Sequence, residues 1–162
     1  MSLNAAYLLL GSNMGDREKF LAEAIDAIGV SAGKIIARSS AYNTKAWGDQ
    51  DQNDFLNKAI CISTPLSAEA LLEKLLSIEH KMGRTRLKRW ESRTIDIDIL
   101  MFNSESINLP HLTVPHPHLQ NRRFALVPLT EIAPDFVHPV SRKTIKMLLA
   151  ECADNLEVSR AV

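Results

Sequence analysis

Ile95, Ile97 and Ile99 alternate with Asp96 and Asp98 in the run Arg93-Thr94-Ile95-Asp96-Ile97-Asp98-Ile99-Leu100. Strict alternation is the period of a β-strand, where residues two apart share a face. The isoleucines therefore turn toward a core and both carboxylates project together from the other side. Such a strand needs a sheet with one packed apolar face and one face open to solvent or ligand. Two carboxylates on one rigid face suit hard, oxygen-loving Mg2+, usually held by one or two carboxylates plus substrate phosphates. A half-buried strand with a solvated acidic face has the same pattern, so the neighbouring residues decide between them.

The segment just before this strand, Arg84-Thr85-Arg86-Leu87-Lys88-Arg89-Trp90-Glu91-Ser92-Arg93, places five cations and one acid within ten residues. Arginine forks grip phosphate oxygens in pairs, and a metal on the nearby carboxylates neutralises the remaining charge of a polyphosphate. A merely solvated basic loop has no evident need for Trp90 in its midst. Cations beside a carboxylate pair imply an Mg–polyphosphate ligand.

The elements before it set the fold class. Residues 6–10 read as a buried strand, ending at the turn cluster Gly11-Ser12-Asn13-Met14-Gly15-Asp16. A helix follows, with Phe20, Leu21, Ala24, Ile25 and Ile28 on one stripe and Gly29 as its stop. Residues 34–43 and 55–64 read as two strands, joined by a polar stretch with Trp47 that is too long for a tight turn and invites a binding role. Ser67 caps a helix over residues 68–82, where Leu71, Leu72, Leu75, Ile78 and Met82 repeat with helical spacing and Gly83 ends the run. With the strand over 95–102 the order is β-α-β-β-α-β. This is the α+β, ferredoxin-like pattern, two helices on one face of an antiparallel sheet and the other face left for a ligand. The remainder carries a short hairpin near residues 106–109, a Pro/His-rich loop, and helices near 124–131 and 144–152, an extension of the same domain.

A chain of 162 residues supports one core, so a single domain over 1–162 is expected. Its 19 basic and 19 acidic residues cancel, which argues against binding long nucleic acid through phosphate electrostatics while permitting a local cationic site. Cys61 and Cys152 have no metal or redox spacing and are expected as buried free thiols. The first apolar run is far short of the ~20 residues that span a bilayer, so the chain is expected to work in the cytoplasm, as a monomer and away from membranes.

Three further groups carry chemistry. Phe55 and Asn57 share a strand face, and one aromatic platform plus one amide can hold a flat heterocycle by stacking and by reading its edge. His116 and His118 in Pro115-His116-Pro117-His118 lack a third zinc ligand, so phosphate or ribose contact fits His116 better. Arg122 follows as a candidate phosphate contact. The Gly11–Gly15 turn lacks the P-loop Lys-Ser/Thr and the Rossmann glycine spacing and reads as a structural turn beside a pocket.

Taken in order, Gly11-Ser12-Asn13, Asp54-Phe55-Leu56-Asn57, Arg93-Thr94-Ile95-Asp96-Ile97-Asp98, Leu112-Thr113-Val114-Pro115-His116 and Asn121-Arg122-Arg123-Phe124 resemble the 6-hydroxymethyl-7,8-dihydropterin pyrophosphokinase family across nearly the whole chain. The resemblance implies transfer of pyrophosphate from ATP to a pterin hydroxymethyl group, with release of AMP, in folate biosynthesis. It implies that Asp96 and Asp98 bind two Mg2+ ions, with Asp96 a candidate to take the hydroxyl proton, and that Arg84 and Arg93 grip the phosphates. Arg86 and Trp90 would belong to a loop closing over ATP, and Thr113, His116 and Arg122 would hold the nucleotide. Phe55 and Phe124 would sandwich the pterin, while Asn57 and the Thr44 backbone read its edge. This chain has Trp90-Glu91-Ser92-Arg93 where the family usually has Trp-Gly-Pro-Arg. Paired acids on such a sheet would also serve another Mg2+-dependent nucleotidyl or phosphoryl transferase. An RNA-binding module of the same strand order would need aromatic pairs and a basic sheet face that are missing here.

Overall fold

The structure, a computed structural model, describes residues 2–45, 54–83 and 94–161. Its elements run β1 (Asn4–Ser12), α1 (Arg17–Ser31), β2 (Lys34–Arg38), β3 (Tyr42–Thr44), β4 (Phe55–Thr64), α2 (Ala68–Lys81) and β5 (Asp96–Phe102). There follow β6 (Ile107–Leu109), β7 (Leu112–Val114), a 3-10 turn (Leu119–Asn121), α3 (Arg123–Ile132), α4 (Ile145–Glu151) and β8 (Val158–Arg160). The main sheet has the order β5-β1-β4-β3-β8, with β2 also paired to β4, and each pair is antiparallel. β6 and β7 form the expected small hairpin, centred a few residues later in the chain.

The alternation of β5 acts as the sequence requires. Ile97 and Ile99 enter a core with Leu8, Leu10, Leu56, Ile60 and Ile62 from the sheet, and α1 and α2 close it with residues such as Ile25, Ile28, Leu71 and Leu75. The caps are local: the Asp16 side chain accepts from the Lys19 N–H and the Ser67 hydroxyl from the Ala70 N–H. Gly15 at φ 64° and Gly83 at φ 86° take the left-handed conformations that turn the chain into α1 and out of α2. This is the ferredoxin-like arrangement.

The second face differs from the expectation of an open surface. Leu9 and Ala59, joined by Leu100 and Met101 at a register shift in the β1–β5 pairing, pack under Ala125, Leu126 and Leu129 of α3 and Ile145 and Leu148 of α4. The C-terminal extension thus builds a second core there, which does not include the half-buried Asp96 and Asp98.

Three boundaries and one missing strand also need correction. The single strand expected over residues 34–43 is two strands, paired in succession along one edge of β4. The break is chemical: the Ser39 hydroxyl accepts from the Ala59 N–H at 2.9 Å and donates to the Ser40 carbonyl at 2.7 Å, substituting a side chain for regular pairing. β1 runs on to Ser12, and Gly29 lies inside α1, which continues to Ser31. β8 gave no strand pattern in the sequence. Of the thiols, Cys61 is buried as expected, Cys152 is only half-buried, and both are free.

Gly33 is where the chain leaves α1 for β2 against the end of β4. A Cβ at this position would lie 2.5 Å from the Ser63 carbonyl oxygen and 2.9 Å from Thr64 Cβ. Because the obstacle is largely backbone, Gly33→Ala should destabilise the fold by about 1–3 kcal/mol. A urea unfolding midpoint equal to that of the parent would show that the crossing relaxes freely.

Candidate active site

β1 sets the geometry of the polar groups, because it lies between β4 and β5. Gly11 is directly opposite Asn57 on one side and Asp96 on the other. Neighbouring strands are ~4.8 Å apart, so Asn57 and Asp96 stand about 10 Å apart on one face with no side chain between them. A Cβ on Gly11 would fall 2.6 Å from Asn57 Oδ1 and 3.6 Å from the Phe55 ring. The glycine is therefore required by close approach, not by its backbone angle.

On β4, half-buried Phe55 and buried Asn57 flank this gap. Asn57 Nδ2 donates to the Thr44 hydroxyl at 2.8 Å. The carboxamide is thereby held flat, leaving Oδ1 and the second Nδ2 hydrogen as the donor–acceptor edge it can offer. Thr44 lies opposite Phe55 on one side and Val158 of β8 on the other, so its backbone is flanked by strands on both sides.

On β5, Asp96 and Asp98 are half-buried on the face opposite Ile97 and Ile99. Among the described residues there is no group of three or more His, Cys, Asp or Glu arranged for a metal. Two hard carboxylate donors without a complete protein cage are what Mg2+ takes when phosphates and water fill the other positions. Among the described strands β5 is the edge of the sheet, and Glu79, only 4% exposed, caps that edge: its Oε2 accepts from the Ile97 N–H at 2.6 Å, between the two aspartates. Sequence reasoning passed over Glu79. The available signal was an acid at i+4 from Leu75, inside the buried stripe of α2.

The third wall comes from the segment leading into α3. Thr113 is the exposed residue of β7, and a cis Val114–Pro115 bond precedes His116. The His116 N–H donates to the Leu100 carbonyl at 2.9 Å, tying this segment to β5. Its Nδ1 accepts from the His118 N–H at 3.2 Å, which leaves the proton of the neutral ring on Nε2. The Arg122 guanidinium lies 5.7 Å from the centre of the Phe124 ring, so these two side chains are presented together at the start of α3. A separate polar depression of about 370 Å3, lined by Asn13, Gly15, Arg17, Asn43 and Asp54, includes none of the predicted residues. Arg84, Arg86, Trp90 and Arg93 lie outside the described residues, as does the Trp47 stretch.

Burial, with smaller contributions from the charge of Arg122 and from His118, pushes the His116 pKa down from 6.5 to about 4. The imidazole is therefore a neutral Nε2–H donor at neutral pH, with the permanent cation supplied by Arg122. Between about pH 6.5 and 4 the unfolded chain binds a proton that folded His116 resists, so its contribution to stability is complete above 6.5 and is lost as pH falls toward 4. His138, also shifted down by burial, adds to the same trend. Urea unfolding of His116→Asn should accordingly show a smaller loss of stability between pH 7 and pH 5 than the parent; an identical loss would remove His116 as a source.

Comparison with known proteins gives this geometry a family. The model for 7,8-dihydro-6-hydroxymethylpterin-pyrophosphokinase (HPPK) matches residues 7–134. A Methylorubrum extorquens protein named 2-amino-4-hydroxy-6-hydroxymethyldihydropteridine pyrophosphokinase is 44% identical over 150 residues, 92% of this chain and 94% of that one. A Bacillus subtilis protein of the same name is 47% identical over 130 residues, 80% of this chain and 78% of its own. Among solved structures, Plasmodium falciparum HPPK-DHPS with pterin and p-hydroxybenzoate has a TM-score of 0.74 and 20% identity over 93% of this chain, a likeness of fold. This chain spans 43% of that longer protein. With its residues 7–134 matched and 44% identity across nearly the full length of a relative, the chain belongs to the HPPK family.

Proposed function

We infer that this chain transfers the pyrophosphoryl group of ATP to the hydroxymethyl group of 6-hydroxymethyl-7,8-dihydropterin, releasing AMP, as a step in folate biosynthesis. The observation that carries the reading is the row Asn57–Gly11–Asp96, which sets an edge-reading amide and a carboxylate on one sheet face with an open glycine between. Family membership supplies the reaction.

In this reading the pterin ring stacks between Phe55 and Phe124, and Asn57, oriented by the Thr44 hydroxyl, pairs with its polar edge. Thr44 belongs to the pterin site through that contact. The hydroxymethyl group then points along the row toward Asp96 and Asp98. Two Mg2+ ions held by these carboxylates would neutralise phosphate charge and make the β-phosphorus easier to attack. Arg122, Thr113 and the Nε2–H of His116 hold the nucleotide from the α3 side. Arg84 and Arg93 grip the phosphates and Arg86 and Trp90 close over them, roles that rest on their place in the sequence. The pterin oxygen bonds to the β-phosphorus as the bond to the bridging α,β oxygen breaks. The electron pair leaves with AMP, and the hydroxyl proton passes to a nearby base, for which Asp96 is the candidate. Free Cys61 and Cys152 fit a reducing compartment, and the reading is of a monomer in the cytoplasm. No helix among the described residues is long and apolar enough to cross a membrane.

The direct test is incubation with ATP, Mg2+ and the pterin, omitting each in turn. Pterin-dependent release of AMP is expected; release of ADP, or of AMP without pterin, would overturn the reading. Because charge at the transferring phosphate must be neutralised, Asp98→Ala should lower turnover at least roughly a hundredfold while circular dichroism stays unchanged. Turnover near that of the parent would remove Asp98 from the site. Asn57→Ala should weaken pterin binding by about 1–3 kcal/mol, because the ring edge loses its partner. Calorimetry showing equal affinity would mean that Asn57 serves only Thr44.

A further inference from the structure

We propose that Asp154 is a positioning residue for the pterin and nucleotide contacts of α3, acting at one end of a C-terminal brace that joins both ends of that helix to β3. The proposal rests on the functional reading above, since it concerns Arg122 and Phe124 as substrate contacts.

α3 begins without a cap of its own. Its N-cap residue is Arg122, whose side chain makes no capping hydrogen bond and lies over Phe124 instead. A helix start with open N–H groups frays unless an acceptor is supplied. Here it comes from 31 residues further on: Asp154 Oδ2 accepts from the Arg123 N–H at 3.1 Å. Its other oxygen, Oδ1, accepts from the Leu156 N–H at 3.0 Å, which fixes the carboxylate from its own side of the chain. A carboxylate at a helix start also meets the positive end of the helix dipole. Arg122 and Phe124 flank the anchored amide, so its position governs where both side chains sit.

From Asp154 the chain continues into β8, which pairs Val158 with Thr44, Ser159 with Asn43 and Arg160 with Tyr42. The Ala161 N–H then donates to the Ala41 carbonyl at 2.8 Å. Glu131, near the far end of α3, accepts from the Ser40 N–H at 2.8 Å and from the Tyr42 hydroxyl, and lies 3.4 Å from Arg160 Nη2. One short segment therefore spans from the Phe124 end of α3 to the strand carrying Thr44. The first carries Phe124, one stacking face of the pterin reading, and the second carries Thr44, which orients the edge-reading Asn57 on β4. Of the two attachments, only Asp154 touches the helix start directly, so its substitution tests that end of the brace.

The test uses the full-length protein with Asp154→Ala and Asp154→Asn. Hydrogen exchange of the Arg123 and Phe124 amides reads the brace without any substrate, and steady-state kinetics read its consequence. Asp154→Ala should speed exchange in the first turn of α3 and raise the pterin KM roughly five- to tenfold, the scale of a lost helix cap, with kcat nearly unchanged. Asp154→Asn should fall between parent and Ala, because a carboxamide retains one of the two accepting oxygens. Parallel urea unfolding confirms that each variant is folded under assay conditions. If exchange in α3 is unaltered, or if it rises while the pterin KM stays at the parent value, the positioning role is wrong. If kcat falls in step with the folded fraction while KM is constant, Asp154 is only a stability residue. Parent protein without pterin-dependent AMP release would overturn the functional reading itself, and this proposal with it.

Discussion

The register of β1 between β4 and β5 is the constraint on which the site depends. Side chains alternate strictly along a strand, so slipping β1 by one residue would turn Gly11 to the helix face and place a side chain between Asn57 and Asp96. Two features hold the register. Leu8 and Leu10 are fully buried against α1 and α2, and Leu9 is buried under α3 and α4, so each face of the strand is specified by its own core. Without the second core the polar face of the sheet would tolerate slippage much better. The C-terminal extension thus stabilises the geometry of residues it does not contain.

The parts legible from sequence are those with a local period. Alternation identifies Asp96, Asp98, Phe55 and Asn57 as pairs sharing a face, and the structure has each pair on its strand. Helical stripes identify α1 and α2, and Ser67 and Gly83 mark the ends of α2 because they act within a few residues of themselves. The illegible parts are long-range. Ser39 divides a strand because its hydroxyl meets Ala59, 20 residues away. β8 is three residues with little apolar character, and it exists because β3 has an edge to offer. Glu79 has an ordinary sequence position and becomes important only when α2 lies along the edge of β5. The roles of Arg84, Arg86, Trp90 and Arg93 rest on sequence alone, because they lie outside the described residues.

Charge is clustered locally along the chain. The chain is neutral overall, yet acidic groups gather on β5 and permanent cations at the start of α3 and in the segment before β5. His116, near Arg122, is kept neutral by burial and by that charge. An imidazolium here would be a second cation near Arg122, costly without an anion present, whereas a neutral Nε2–H can donate to phosphate or ribose oxygen without that cost. Arginine cannot switch in this way, so the pair combines one fixed charge with one polar donor.

The Glu131 end of the C-terminal brace responds to acid in a definite direction. Burial alone would raise the Glu131 pKa, but hydrogen bonds from Tyr42, the Ser40 amide and Arg160 outweigh it and hold the carboxyl below its ordinary 4.5. A depressed carboxyl contributes stability above its ordinary pKa and loses it as pH falls through the folded value, so the Glu131 attachment is complete at neutral pH and weakens only in strong acid. Because Glu131 ties α3 to Ser40 and Tyr42, its protonation would loosen the helix from β3 at the end away from Phe124. The Asp154 end touches the helix start itself, and there the two accepting oxygens are committed to backbone N–H groups of separate segments. Glu131 thus holds the far end of α3 to residues 40 and 42, while Asp154 anchors the helix start between Arg122 and Phe124.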